Sequence, residues 1–321
     1  MSRRIVVMSN CQTGGLYASL AGMLPDDEIL PIAWLGFEPE GLRDLLSTAD
    51  AWVSSLPRAE SQAILADMGS AGLGRSGTGR PDPVLYTVPV VWFPGFHPDV
   101  LHVADPAGGE LESAVGPYNS AIVVWGWLNG LSVEQILERF SPQVFAELGY
   151  TGWFAGHVDR LRSSFDDTDL DFADWYLPLA RRGPFMLTDN HPRLDALVQM
   201  ARPVALALGA DPALVASEWE QVIVDGLQST SVVWPVYPGV AESLGLAGAY
   251  VWRRVDGELV GLRRFVEESM AHYRTVGASN VEVVRFEHDP RYDAALRPDR
   301  SGPTASSALA VGSNATSNGG H

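Results

Sequence analysis

The chain has 321 residues, a formal net charge of −17, 46% hydrophobic residues and a single cysteine. That size and apolar content support a real core. The negative charge disfavours nucleic acid and anionic membrane surfaces as partners, and one cysteine excludes an internal disulfide and fits a cytoplasmic protein. All 22 basic residues are arginine, so a Schiff-base lysine, a lysine general base and a phosphate-loop lysine are excluded. Any bound anion falls to arginine, histidine or backbone N–H groups.

No apolar run reaches the length of a membrane span, and Met1-Ser2-Arg3-Arg4 leads into a strand pattern without a signal-peptide core. Ile5 to Met8 is a short apolar run suited to a buried parallel strand. Ser9-Asn10-Cys11-Gln12-Thr13 follows at its carboxyl end. Gly14 and Gly15 are expected to allow a tight turn, and Leu16 to Met23 reads as a helix. In open α/β sheets such strand ends carry ligands and catalysis. A thiol at a helix N-terminus is expected to favour thiolate, and neighbouring N–H groups can cradle an oxyanion or phosphate. The competing reading of Cys11 is a small buried filler.

A second strand is predicted around 29–35, a short helix over 42–46, a third strand over 51–56 and a helix over 60–68. This alternation predicts an α/β fold, with a mostly parallel central sheet, flanking helices and a helix-rich C-terminal half. Residues 69–83 form a glycine-rich loop with Arg75 and Arg80. It matches neither a P-loop nor a dinucleotide fingerprint, and it reads as a surface loop or as a cover for a phosphorylated cofactor. The segment 84–93 reads as a strand interrupted by Pro89, hence an edge or a bulge. It runs into Phe93-Pro94-Gly95-Phe96-His97-Pro98-Asp99, where His97 and Asp99 are acid–base candidates on a stiff turn or local turn-satisfying groups.

Gly116-Pro117-Tyr118-Asn119-Ser120 is a turn ahead of the apolar segment 121–128. Ser132 to Gln135 is a capping box, and Pro142 in the following helical pattern predicts a kink or two helices. Residues 159–176 read as a solvated, largely helical acidic face without calcium-loop spacing. Thr188-Asp189-Asn190-His191-Pro192-Arg193 is a second polar knot before a helix, and residues 259–273 form an amphipathic helix. One domain is expected over 1–290, with a disordered tail over 291–321. The seven histidines show no helical ligand spacing, so no metal is expected.

SNCQ at 9–12, FPGFHPD at 93–99, TDNHP at 188–192 and the late block from WPVYPGVAESLGL to LRRFVEESMAHY resemble, in order, the WcbI-type polysaccharide biosynthesis family. The resemblance runs over roughly residues 4–275 and implies a coenzyme A-binding protein that transfers an acyl group to a sugar hydroxyl. It places Cys11 at the family's cysteine and His191 at its histidine, while the family's lysine has no counterpart here. Acyl-CoA is then the co-substrate. The acceptor is a carbohydrate or other small molecule, in capsule assembly or natural-product tailoring. In this scheme His191 is the base, and Asp189 or Asp99 orients a histidine. Asn10, Gln12 and the N–H groups near Gly14 serve the oxyanion, with Tyr118 and Asn119 lining the cofactor. Arg75, Arg80 and Arg193 meet the phosphates. The alternatives are an SGNH-like esterase or thioesterase, which lacks its late Asp-x-x-His block here, and a non-catalytic CoA-binding module.

Overall fold

The computed structural model describes residues 2–34, 39–70, 81–105, 108–277 and 281–297. Arg75 and Arg80 lie outside the described residues, as does the segment 301–321. The N-terminal part alternates strand β1 (Arg4–Ser9), helix α1 (Thr13–Met23), β2 (Glu28–Ala33), α2 (Pro39–Thr48), β3 (Ala51–Ser54), α3 (Arg58–Ser70) and β4 (Val84–Thr87). The four strands form one parallel sheet in the order β2-β1-β3-β4.

Side chains alternate along a strand, and β1 shows why both faces must be covered. Ile5 and Val7 join a cluster with Leu16 and Leu20 of α1. Val6 and Met8 join another with Leu42 and Leu46 of α2, Met68 of α3 and Trp52. The β1–β2 connection moves to one side of β1, and β3 then pairs on its other side. The crevice between the carboxyl ends of β1 and β3 is therefore a topological switch point. There the Ser55 hydroxyl donates to Ser9 Oγ at 2.8 Å.

The strand expected over 84–93 stops at Thr87, two residues before Pro89, and β4 is the sheet edge. A short antiparallel pair follows, β5 (Val100–Leu101) with β6 (Asn119–Ser120). Helix α4 (Ala121–Leu128) is apolar throughout and buried over 121–127. The capping box closes on α5 (Val133–Leu137), and Pro142 opens a separate helix, α6 (Pro142–Glu147). The acidic stretch divides into α7 (Trp153–Ser163) and α8 (Phe172–Ala180). Asp171 caps α8, and Asp169 accepts from the backbone and hydroxyl of Thr87 at 2.7 and 3.0 Å, tying this region to the sheet edge.

Helix α9 (Leu194–Ala207) packs on α1. Its Leu197 side chain occupies the space that a Cβ on Gly15 would need, at 2.3 Å. Gly14 and Gly15 are thus helical residues, not a tight turn, and Gly15 permits the close approach of α9. A hairpin of β7 (Val251–Arg253) and β8 (Leu259–Gly261) leads into the helix Leu262–Val276, which buries Phe265, Val266, Met270 and Tyr273. Residues 291–297, expected in the tail, belong to the core: helix Arg291–Leu296 buries Tyr292, Ala295 and Leu296. Among the described residues, no helix is long and apolar enough to cross a membrane.

Candidate functional site

The turn after β1 is built by its own short polar residues. Thr13 Oγ1 accepts from Ser9 N at 3.1 Å and donates to Asn10 O at 2.8 Å. Asn10 Oδ1 accepts from Gln12 N at 3.0 Å. These bonds project residue 11 outward, and Cys11 is free and exposed. The expected thiolate stabilisation is overridden: the protein mass around the sulfur pushes the thiol pKa up, and a backbone hydrogen bond offsets this only in part.

Gln12 was expected at the oxyanion but is fully buried. Its Nε2 donates to Val91 O at 2.8 Å and its Oε1 accepts from Val91 N at 3.2 Å. The side-chain amide is therefore a backbone clamp with little donor capacity left for a ligand. A longer contact from Nε2 reaches Asn190 O at 3.5 Å, so the Cys11 turn and the 188–191 turn lie side by side.

The second turn is a hairpin-like loop. Leu187 N donates to His191 O at 2.7 Å, and Arg193 N to Phe185 O at 2.8 Å. Thr188 Oγ1 accepts from His191 N at 3.2 Å and donates to Asn190 Oδ1 at 2.9 Å. The Tyr118 hydroxyl donates to the same Asn190 oxygen at 2.9 Å and stands 3.0 Å from His191 Nδ1. Ser231 Oγ is 2.6 Å from that nitrogen. With Tyr118 donating to Asn190, its oxygen can accept from His191 Nδ1–H, which leaves Nε2 as the basic nitrogen. Burial lowers the His191 pKa, against the raising influence of Asp189, so the ring is neutral near pH 7. Tyr118 is pushed up to about 12 by burial, with smaller contributions that include the charge of Cys11.

Asp189 does orient a histidine, but it is His102, whose Nε2 lies 3.1 and 3.3 Å from the two carboxylate oxygens. Trp92 Nε1 donates to Asp189 Oδ2 at 3.3 Å. The Asp189 hydrogen bond raises the His102 pKa. The β5–β6 pairing sets His102 edge-on to Tyr118, with ring centroids 5.2 Å apart. His102 and Ser231 were missed in the sequence. The FHPD motif stops short of His102, and Ser231 has no local motif at all.

Three expectations are corrected by burial. Asp99 is 1% exposed and sits in the core, not at the Tyr118–His191 cluster. It accepts from Ser120 Oγ at 2.5 Å, Tyr237 at 2.9 Å, Tyr150 at 3.0 Å and Ile122 N at 3.1 Å. Burial lifts its pKa to about 6 despite those bonds. His97 is 2% exposed, and burial lowers its pKa to about 4, so it is a neutral interior ring facing the carbonyls of Thr188 and Trp234. Asn119 is fully buried: its amide nitrogen donates to Leu111 O at 2.8 Å and Pro117 O at 3.1 Å, and its oxygen accepts from Tyr273 at 2.8 Å. All three lack the access that a reacting or cofactor-binding group needs.

Of the proposed phosphate arginines, Arg193 is described. It precedes α9, and its Nε is buried without a hydrogen-bond partner. Gly14 faces open space at the start of α1, which has no side-chain cap. A cleft of about 580 Å³ is bordered by Tyr118, His191 and Ser231. A larger cavity of about 730 Å³ lies at the opposite end of α1, beside Met23 and Leu24, far from these groups. Among the described residues no cluster of His, Cys, Asp or Glu is arranged to hold a metal ion.

The family model for the polysaccharide biosynthesis enzyme WcbI matches residues 4–213. The chain belongs to the WcbI family. A solved structure, described as native WcbI without a disulfide bond between CoA and one of its cysteines, has the same fold. The TM-score is 0.71 at 14% identity, over 92% of this chain and 98% of that one. No curated protein matches the chain. The WcbI-family match ends at residue 213, so it covers the turns carrying Cys11 and His191 but not Ser231.

Proposed function

We propose that this WcbI-family protein is a CoA-dependent acyltransferase, with Cys11 as acyl carrier and His191 as base. The observation that carries the reading is the adjacency of the two turns: Gln12 Nε2 contacts Asn190 O at 3.5 Å, and Tyr118 holds both Asn190 and His191 of that second turn. A related WcbI structure is described by reference to CoA and a cysteine, which supports CoA as the ligand.

A thiol with a raised pKa is not a standing thiolate, so its proton must leave as it attacks. His191, neutral and held through Nδ1, takes that proton on Nε2. Cys11 Sγ bonds to the thioester carbonyl carbon, the bond from that carbon to the CoA sulfur breaks, and the imidazolium returns the proton to the departing thiolate. In the second half an acceptor hydroxyl loses its proton to Nε2 and bonds to the acyl carbon. The bond to Cys11 Sγ then breaks and the sulfur is reprotonated. The N–H groups of Gln12 and Thr13 are bonded to Asn10, so those of Gly14 and Gly15 are the candidates for the developing oxyanion, and such donors typically contribute about 3 kcal/mol each. His102, held by Asp189 and set edge-on to Tyr118, is the described candidate for the place of the absent lysine. Arg193 is the described candidate for a CoA phosphate.

The raised thiol pKa also suits direct transfer, in which Cys11 only lines the thioester and His191 deprotonates the acceptor. Intact-mass analysis after mixing with acetyl-CoA separates the two. A gain of one acetyl group that disappears in Cys11→Ser is expected. CoA binding with no mass gain and an active Cys11→Ser variant would remove Cys11 as carrier. Steady release of CoA without an acceptor would make the protein a thioesterase.

A further inference from the structure

Trp92 is 50% exposed, while its neighbours Val91 and Phe93 are fully buried. The alternation turns the indole outward from a strip of chain that is fixed on both sides. Val91 is clamped by the Gln12 amide of the turn that bears Cys11, at 2.8 and 3.2 Å. Phe93 N donates to Asp189 O of the turn that bears His191, at 2.7 Å. The indole itself is pinned as well. Its Nε1 donates to Asp189 Oδ2 at 3.3 Å, and its ring stands nearly perpendicular to His157, with centroids 6.1 Å apart. His157 lies 5.2 Å from the Trp153 ring, which Arg285 covers at 4.7 Å. A large apolar plate is thus held rigid in water, astride the two turns. Its rotamer freedom is already lost, so a ligand that covers it orders little more of the protein.

The shape and place of this plate select what lies on it. The adenine of CoA is flat, but the pantetheine arm and the diphosphate separate it from the thioester. The pantetheine arm reaches the reacting atoms but has no flat face. A pyranose ring has both properties: one face of C–H groups that packs on an aromatic surface, and hydroxyls around its edge. We infer that Trp92 is the platform for a pyranose ring of the acceptor, its C–H face on the indole and one hydroxyl toward the turn that bears His191. This rests on the acyltransfer reading for the role of that hydroxyl, but not for the binding itself. Trp92 is thereby a specificity-determining residue, which selects a ring with an apolar face over an open-chain polyol.

The test uses the full chain without any acyl donor. In protein carrying isotope-labelled tryptophan, the Trp92 indole N–H signal is the one missing from Trp92→Phe. Methyl β-galactoside is expected to shift that signal saturably, and the protons of its own apolar face are expected to move upfield. Sorbitol, a polyol with no ring face, is expected to leave the signal in place. Trp92→Ala is expected to weaken galactoside binding about tenfold, and Trp92→Phe, which keeps an aromatic face but loses the bond to Asp189, by about threefold or less. Both variants are expected to keep the wild-type far-UV spectrum. A signal that does not respond to the galactoside, an equal response to sorbitol, a response to adenosine bisphosphate in place of the sugar, or galactoside binding unaffected by Trp92→Ala would each overturn the proposal. Galactoside bound at Trp92 with no acetyl transfer to Cys11 or to the sugar would refute the acyltransfer reading and leave the platform standing. Acetylation of Cys11 with no galactoside at Trp92 would do the reverse.

Discussion

Asp99 tests the reasoning most sharply, because a residue expected at the surface of a site is instead the hub of the interior. In Asp99→Ala the Ile122 N–H and the Ser120 and Tyr237 hydroxyls lose their acceptor, while Tyr150 keeps Tyr292 at 3.1 Å. Three stranded donors cost roughly 5 kcal/mol at about 1–3 each, allowing for relaxation. An opposing contribution exists. The carboxyl pKa is raised from 3.8 to about 6, so at pH 7 the ionised native form is penalised relative to the unfolded chain. That penalty is about 3 kcal/mol at pH 7 and falls to about 1 kcal/mol at pH 4.5. A raised folded pKa gives stability that is present below pH 3.8 and lost as pH rises through about 6. Asp99→Ala should therefore destabilise by about 2 kcal/mol at pH 7 and about 4 kcal/mol at pH 4.5. Asp99→Asn keeps an acceptor oxygen and removes the charge, and should lie near wild type at pH 7. Urea unfolding followed by tryptophan fluorescence at both pH values measures the differences, with His97 and other acid effects common to all three proteins. An alanine variant equal to wild type, or a deficit that shrinks on acidification, would refute the assignment of Asp99 as a buried hub.

In the candidate site, Tyr118→Phe removes one partner of His191 Nδ1 and leaves Ser231. Acyl transfer should fall about tenfold, and adding Ser231→Ala should cost more than either change alone; turnover of acetyl-CoA with an alcohol acceptor measures both. Proton NMR should find His102 titrating above the ordinary 6.5 and His191 below it, and Asp189→Asn should lower the His102 midpoint. Iodoacetamide labelling of the exposed Cys11 should follow a pH profile displaced above the ordinary thiol value of 9.0, because the protein around the sulfur displaces water that would solvate the thiolate; a profile displaced downward would contradict that. At Gly248 an added Cβ would lie 2.5 Å from Pro238 Cα, which is backbone and cannot swing aside, so Gly248→Ala should lower stability by about 1–3 kcal/mol in thermal unfolding.

Local pattern and local chemistry were readable from the residue order alone. The apolar run Ile5 to Met8 and the strand–helix alternation determine a parallel sheet buried on both faces, and the capping box at Ser132 determines where α5 begins. The sequence also brings out the two polar turns, because clustered Ser, Asn, Thr, Asp and His beside Pro or Gly cannot be a strand or helix interior. What it does not determine is direction. Asp99 and His97 look like reactive groups on a stiff turn until Tyr150, Tyr237 and Ile122 arrive from far along the chain and enclose the carboxylate. Gln12 looks like a ligand donor until Val91 takes both ends of its amide. Asp189 is paired with His102, and His191 with Tyr118 and Ser231, only by tertiary packing, since the β5–β6 pair and the approach of the segment before β7 are long-range events. Residue type sets what a polar group is able to do. Whether it does so depends on which of its hydrogen-bonding positions the rest of the fold has already taken, and no periodicity in the chain encodes that.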